Sequence, residues 1–269
     1  MRLMYELPRV RAHDIIVDYA AYGKHHFTFS EFRENLNGTA AAARQALSRL
    51  AKKGEIASPS RGFYVILPPE FRHIGCLPAD EFIPALMEYR NMPYYVGLLS
   101  AAQYFGAAHQ RPQEFQVVLA KNRNEIVCGN VKVVFLARKD LHAVPTVRFN
   151  NPRGSIVVSS IEATVFDLVG YMHRAGGVDR VAGLLSELAD DLDPVRLVEA
   201  SRSVPIRWAQ RSGYLLESIG AEQKVTLLKR NLRGRARNFT RLIPSISGNR
   251  ARRANDWRVL VNVDVEPEI

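Results

Sequence analysis

The strongest constraint on how this chain folds lies in its first 67 residues. Residues 9–22 carry Ile15, Ile16, Tyr19 and Ala20 at helical spacing, which predicts a first helix. Ser30 is a residue type favoured at helix N-caps, and it predicts a short second helix through residue 36, with Phe29 and Phe32 beside it for packing. Asn37-Gly38 signals a turn. Thr39 then caps a third helix, 40–53, with an apolar stripe of Ala46, Leu47 and Leu50, and Gly54 stands where a helix end favours glycine. Residues 55–58 and 63–67 are β-rich and are joined by Pro59-Ser60-Arg61-Gly62, a hairpin signal. Three helices followed by a hairpin form the pattern of a winged helix-turn-helix, which sets one helix in a DNA major groove.

The polar residues of that region suit a DNA contact. Thr39, Arg44, Gln45, Arg49 and Lys52 fall off the apolar stripe of the third helix. Arginine matches guanine O6 and N7, and glutamine matches adenine N6 and N7. Thr39 at the helix start, and Ser30 at the start of the second helix, bring hydroxyls and backbone N–H groups to bear on phosphate. Arg61 lies at the hairpin tip, within reach of an adjacent phosphate or the minor groove. The same residues also describe a solvated basic face on a winged helix used for protein contacts, because fold does not dictate function.

At 269 residues the chain is long enough for two domains, read as 1–67 and 68–269. A hydrophobic content of 47% excludes a disordered chain. Cys76 and Cys128 are too few and too far apart for a disulfide framework or a zinc site, and they read as small apolar fillers in a reducing compartment. The start of the chain lacks the apolar run of a signal peptide, and no stretch has the length of a membrane span. These features predict a cytoplasmic protein.

Charge is distributed unevenly. The net charge of the whole chain is +10, and residues 224–258 alone hold eleven Lys and Arg against Asp256. Lys229, Arg230, Arg233, Arg235, Arg237, Arg241, Arg252 and Arg253 are the candidate nucleic-acid or protein-binding surface of this block. Its self-repulsion is relieved by an opposite charge, so it points to a polyanion or an acidic protein face. A solvated surface that keeps the domain soluble accounts for the same bias. The first part of the block reads as helical up to Gly234, residues 250–253 as a loop, and 257–261 as a strand.

Between hairpin and basic block the chain alternates types. Helices are predicted over 80–90, 96–104, 160–173, 178–188, from Asp193-Pro194 onward, and 206–219. Strands are predicted over 115–120, 126–135 (a hairpin around Gly129-Asn130) and 155–159. The fold class is α+β, an N-terminal winged helix-turn-helix followed by a larger mixed α/β C-terminal domain. His25 and His26 read as loop residues. No phosphate-cradling loop, H-E-x-x-H or G-x-S-x-G motif occurs, so no catalytic residue, metal site or cofactor is assigned and the chain reads as a non-enzyme. Asp190-Asp191 with Asp193 reads as an acidic turn, not a calcium loop.

Several segments resemble one family. Residues 93–106, PYYVGLLSAAQYFG, and 109–118, HQRPQEFQVV, resemble the signature of AbiEi-type antitoxins. Residues 158–169, VSSIEATVFDLV, are similar to that family's S-x-x-E-A-T-x-x-D-L segment, and 176–182 and 257–262 follow in order. Phe105 and Phe166 depart from the family pattern as changes of packing. The resemblance implies a bacterial antitoxin and transcriptional repressor of phage-defence toxin–antitoxin systems. Its winged helix would bind promoter inverted repeats, and its C-terminal domain would counter a nucleotidyltransferase-like AbiEii-type toxin, directly or indirectly. The 67-residue domain shows no obvious dimer helix, which allows a monomer in solution that pairs on DNA. A winged-helix regulator or nucleic-acid-binding interaction protein without antitoxin activity is the competing reading. Within the family segments, Glu162 reads as a helix cap or internal pair, and Thr164 and Asp167 as ties between helix and sheet.

Overall fold

The structure is a computed structural model that describes residues 11–107, 113–249 and 251–268. The start of the predicted first helix, the segment 109–112 of the second family motif and Arg250 lie outside the described residues. In chain order the elements are α1 (Ala12–Ala21), β1 (His26–Thr28), α2 (Phe29–Leu36), α3 (Ala40–Lys52), β2 (Ile56–Ser60), β3 (Phe63–Ile66) and α4 (Ala79–Tyr89). Then come β4 (Tyr94–Val96), α5 (Leu98–Tyr104), β5 (Phe115–Leu119), β6 (Ile126–Cys128), β7 (Val131–Ala137), β8 (Thr146–Asn151) and β9 (Gly154–Ser159). The chain closes with α6 (Ile161–Gly170), α7 (Val178–Leu188), α8 (Pro194–Ala200), α9 (Ile206–Ser218), α10 (Glu222–Arg233), β10 (Thr240–Arg241), β11 (Arg252–Ala254) and β12 (Val259–Val261). The fold is therefore a mixed α+β one, with helices and, among the described residues, three sheets. No described helix is long and apolar enough to cross a membrane.

The chain divides into two compact units: residues 1–93, 123–135 and 150–156 form one, and 94–122, 136–149 and 157–269 the other. In the first, α1, α2 and α3 bury Ile15, Ile16, Phe32, Ala43, Leu47 and Leu50 with Phe27, Ile56 and Ile66 in one core. A three-stranded antiparallel sheet of order β1-β3-β2 closes it. The second unit holds a larger core, in which Phe166, Leu168, Leu185, Leu197, Leu215, Leu228 and Trp257 draw α6 to α10 together. The third sheet, β10-β12-β11, pairs β10 parallel and β11 antiparallel to β12. The six-stranded sheet has the order β6-β7-β5-β4-β9-β8, with β4 antiparallel to β5 and parallel to β9.

Several local expectations are corrected. The second helix starts at Phe29, and its N-cap is Thr28, not Ser30. The Thr28 hydroxyl accepts the Glu31 N–H at 3.3 Å while the Glu31 carboxylate accepts the Thr28 N–H at 2.7 Å, a reciprocal capping box. His26 lies in β1, opposite Val65, not in a loop. Three residues are too short a run for any periodicity, so β1 becomes visible only against β3. Pro59 is part of β2 and not of the turn, at an irregularity in register between Ala57 and Ser60 where a missing N–H is tolerated. The turn itself narrows to Arg61-Gly62, with Gly62 at φ +78°. Val96 ends a strand instead of opening a helix, β8 is a strand not foreseen, and 252–254 form β11 instead of a loop.

Candidate nucleic-acid interface and the buried polar network

The third helix of the first unit carries the candidate DNA-facing residues. Burial of Ala43, Leu47 and Leu50 orients α3, because residues three and four apart share a face. The opposite face holds Arg44, Gln45, Arg49 and Lys52, all exposed. Thr39 caps the helix, accepting the Ala42 N–H at 3.2 Å. Its oxygen serves the helix, and its O–H proton is the group left to donate outward. The Arg44 guanidinium lies over the Phe29 ring at 5.7 Å, which steadies one end of the side chain. Arg61 is exposed at the hairpin turn. Ser30 is exposed on the first turn of α2. Among the described residues none of Arg44, Arg49, Lys52 and Arg61 takes part in an ion pair, whereas Lys24 pairs with Glu31 at 2.6 Å and His13 with Glu55 at 2.8 Å. Glu31 and Glu55 are thus engaged by residues other than these cations.

The C-terminal basic block is not uniform. Lys229 pairs with Glu217 and, at 3.4 Å, with Asp256, and lies 5.2 Å above the Trp257 ring. Its charge is consumed internally. Arg230, Arg233, Arg235, Arg237, Arg241, Arg252 and Arg253 are exposed and make no ion pair with a described residue. Arg235 donates to the Asn231 side chain at 2.7 Å and Arg252 to the Tyr214 hydroxyl at 3.0 Å. Arg241 and Arg253 stand in register on either side of Leu260, so both project from the same face of the small sheet. Arg253 lies 5.4 Å over Phe239, itself 36% exposed. Arg233 lines a shallow cavity with Leu232, Ala236, Asn255, Asp256 and Arg258.

One supporting residue escaped the sequence reading. Arg211 on α9 is buried, and it donates to the Arg241 carbonyl at 2.8 Å and the Thr240 hydroxyl at 2.9 Å. Burial and the neighbouring Arg207 and Arg241 pull its pKa down to about 10. It braces the backbone from which Arg241 projects. The Arg207–Arg211 spacing on one helix was the available signal.

A second polar cluster lies inside the other family segments. Asp167 on α6 is fully buried and accepts the Tyr95 hydroxyl at 2.9 Å and Arg138 Nη1 at 2.7 Å. Arg138 also donates to the Tyr95 oxygen at 3.0 Å and to the Ser203 carbonyl at 2.6 Å. Burial pushes the Asp167 carboxyl up to about 6, against the pull of Arg138 and the Tyr95 hydroxyl. The 93–106 and 158–169 segments, far apart in sequence, therefore meet at the Tyr95–Asp167 hydrogen bond as well as where β4 runs parallel to β9. Gly97 is required beside it, since a Cβ there would stand 2.9 Å from Val118 and 3.4 Å from the Asp167 carboxylate. Thr164 bonds Ser159 of β9 at 2.7 Å, and Glu162 accepts from the Ser160 hydroxyl at 2.9 Å and the Asp193 N–H at 3.4 Å. These residues knit helix to sheet. Phe166 is buried in the core and Phe105 packs edge-on to Phe149 at 5.5 Å. Asp193 caps α8 with its carboxylate. Among the described residues no group of three His, Cys, Asp or Glu is placed to hold a metal ion.

The fold and its buried network define a protein with a small basic N-terminal helical unit and a mixed α/β unit carrying these segments. Residues 95–218 match the family model of the AbiEi antitoxin C-terminal domain. Among solved structures, the crystal structure of the RV2827C protein from Mycobacterium tuberculosis is similar at a TM-score of 0.66 and 18% identity, over 93% of this chain and 90% of that one. That likeness extends across both units and concerns the fold. The solution structure of the antibiotic-resistance factor ANT(2'')-Ia aligns at 16% identity over 57% of this chain and 88% of that one, with a TM-score of 0.28. No curated protein matches.

Proposed function

We propose that the protein is the antitoxin of an AbiE-type toxin–antitoxin system, with two separable duties. Its N-terminal residues act as a winged helix-turn-helix that binds inverted repeats in its own promoter and represses the operon. Its C-terminal domain, from residue 68 on, counters a nucleotidyltransferase-like toxin. The observation that carries the first duty is the α3 face, where Arg44, Gln45, Arg49 and Lys52 are exposed opposite a buried apolar stripe and free of ion pairs with described residues. A helix whose cations are not already neutralised can exchange its counterions for phosphates. The family match of residues 95–218 supports the second duty.

The neutralising surface in this reading is the exposed part of the basic block, Arg233, Arg235, Arg237, Arg241, Arg252 and Arg253, set against an acidic toxin face or a shared nucleic-acid substrate. Lys229 has no part in it, because its charge is already met by Glu217 and Asp256. Reversing Arg233, Arg237, Arg241 and Arg253 to glutamate abolishes rescue of growth from the cognate toxin and leaves operator affinity within a few-fold. Rescue that survives the reversal rejects this surface. Arg49→Ala weakens operator binding and lowers the dependence of log affinity on log salt by roughly one. An unchanged salt slope removes Arg49 from the phosphate or base contacts. No toxicity from the partner gene would leave a winged-helix regulator without antitoxin activity.

A further inference from the structure

The two cysteines of the chain stand 52 positions apart in sequence and are nevertheless neighbours in space. Both lie in the first unit, Cys76 in the segment before α4 and Cys128 at the end of β6. Their backbones cross in close contact. The Asn130 N–H donates to the Ile74 carbonyl at 2.8 Å. Gly75 and Gly129, the residues adjoining the two cysteines, sit face to face at φ +75° and +55°. A Cβ on Gly75 would lie 3.1 Å from the Gly129 Cα, and one on Gly129 would lie 2.1 Å from the Ile74 carbonyl oxygen. Two glycines at this crossing let the flanking cysteines approach, and each thiol shifts the pKa of the other.

We propose that Cys76 and Cys128 form a reversible intramolecular dithiol–disulfide pair that is oxidised by hydroperoxides and ties the β6–β7 turn to the segment leading into α4. The sulfur arrangement favours Cys128 as the nucleophile. It is the slightly exposed member, at 7% against 0% for Cys76, and β6 is an edge strand of its sheet. The neighbouring Cys76 thiol holds Cys128 below the usual cysteine range despite burial, and the same neighbour raises Cys76. The Cys128 thiolate attacks one peroxide oxygen, the O–O bond breaks, and the other oxygen leaves as water after taking a proton. Cys128 is then a sulfenic acid. Cys76 sulfur displaces its hydroxyl as a second water, the S–S bond forms, and the pair has lost two electrons to the peroxide. A small-molecule thiol reverses the step by exchange. The bond closes a loop of about fifty residues, which restricts the unfolded chain and favours the folded unit.

The full-length protein is treated with hydrogen peroxide, denatured in N-ethylmaleimide and weighed intact. Expected are molecules with no maleimide adduct that have lost two hydrogen atoms, a cross-linked Cys76–Cys128 peptide on digestion, and a melting temperature several degrees higher that returns on reduction. Cys76→Ser and Cys128→Ser each yield no intramolecular cross-link, and Cys76→Ser retains a trappable sulfenic acid on Cys128. Two maleimide adducts after peroxide, disulfides formed only between chains, or irreversible sulfonic acids would overturn the proposal. Should either serine variant fold poorly, the wild-type peptide map decides alone, since it requires no substitution.

Discussion

At the scale of single residues, the network around Asp167 is the part of the molecule most exposed to substitution. A buried carboxylate is tolerable only with partners, and here an arginine and a phenol supply three hydrogen bonds around it. Arg138→Met strands that carboxylate and is expected to cost about 3–5 kcal/mol of folding stability, measured by urea denaturation. Arg138→Met combined with Asp167→Leu costs less than the sum of the two single changes, because the pair is removed as a unit. A loss below about 1 kcal/mol for Arg138→Met would show that the pair adds nothing to the fold. Asp167 was legible in the sequence as a helix-to-sheet tie. Arg138 was not, since nothing local marks an arginine at a strand end as buried.

At the scale of elements, the α2 boundary makes a sharp comparison. The capping box assigns the N-cap to Thr28, so Thr28→Ala is expected to lose about 1 kcal/mol, and Ser30→Ala to change stability by less than about 0.5 kcal/mol. Equal losses at both positions would reject that assignment. The sheet beside α2 also responds to pH. His26 stacks on Phe63 at 5.5 Å, and burial, then Lys24, holds its pKa below 6.5. His25 shifts the same way through burial and Arg153. The unfolded chain takes up these protons first as pH falls. Their contribution is therefore complete above pH 6.5 and is lost as pH drops from there through the folded value. His26→Gln should flatten the decline in melting temperature between pH 8 and pH 5 relative to wild type. Parallel curves would exclude His26 as the source.

At the scale of the whole molecule, truncation tests whether the two proposed duties separate. Co-expression with the toxin gene is expected to give rescue with the full chain and with residues 68–269, and none with residues 1–67. The packing groups 68–93, together with 123–135 and 150–156, with the N-terminal residues, and a second C-terminal piece beginning at residue 94 tests whether α4 is needed for rescue. Rescue by 1–67 alone would place neutralisation in the helical unit and overturn the division of labour proposed above.

The sequence by itself determined what short-range physics encodes: the helices with an apolar stripe, the cap at Thr39, the hairpin at Gly129-Asn130, and the concentration of positive charge in 224–258. Each of these depends on residues within a turn or two of one another. Only the tertiary structure decided which cations remain free, because pairing is a property of distance in space: Lys229 is neutralised by Glu217 and Asp256, whereas Arg241 and Arg253 share an open sheet face. It also decided the short strands β1 and β11, which exist by virtue of their partners. Residues distant in sequence meet the same way, Tyr95 with Asp167 and Cys76 with Cys128, and no local pattern announces such a meeting.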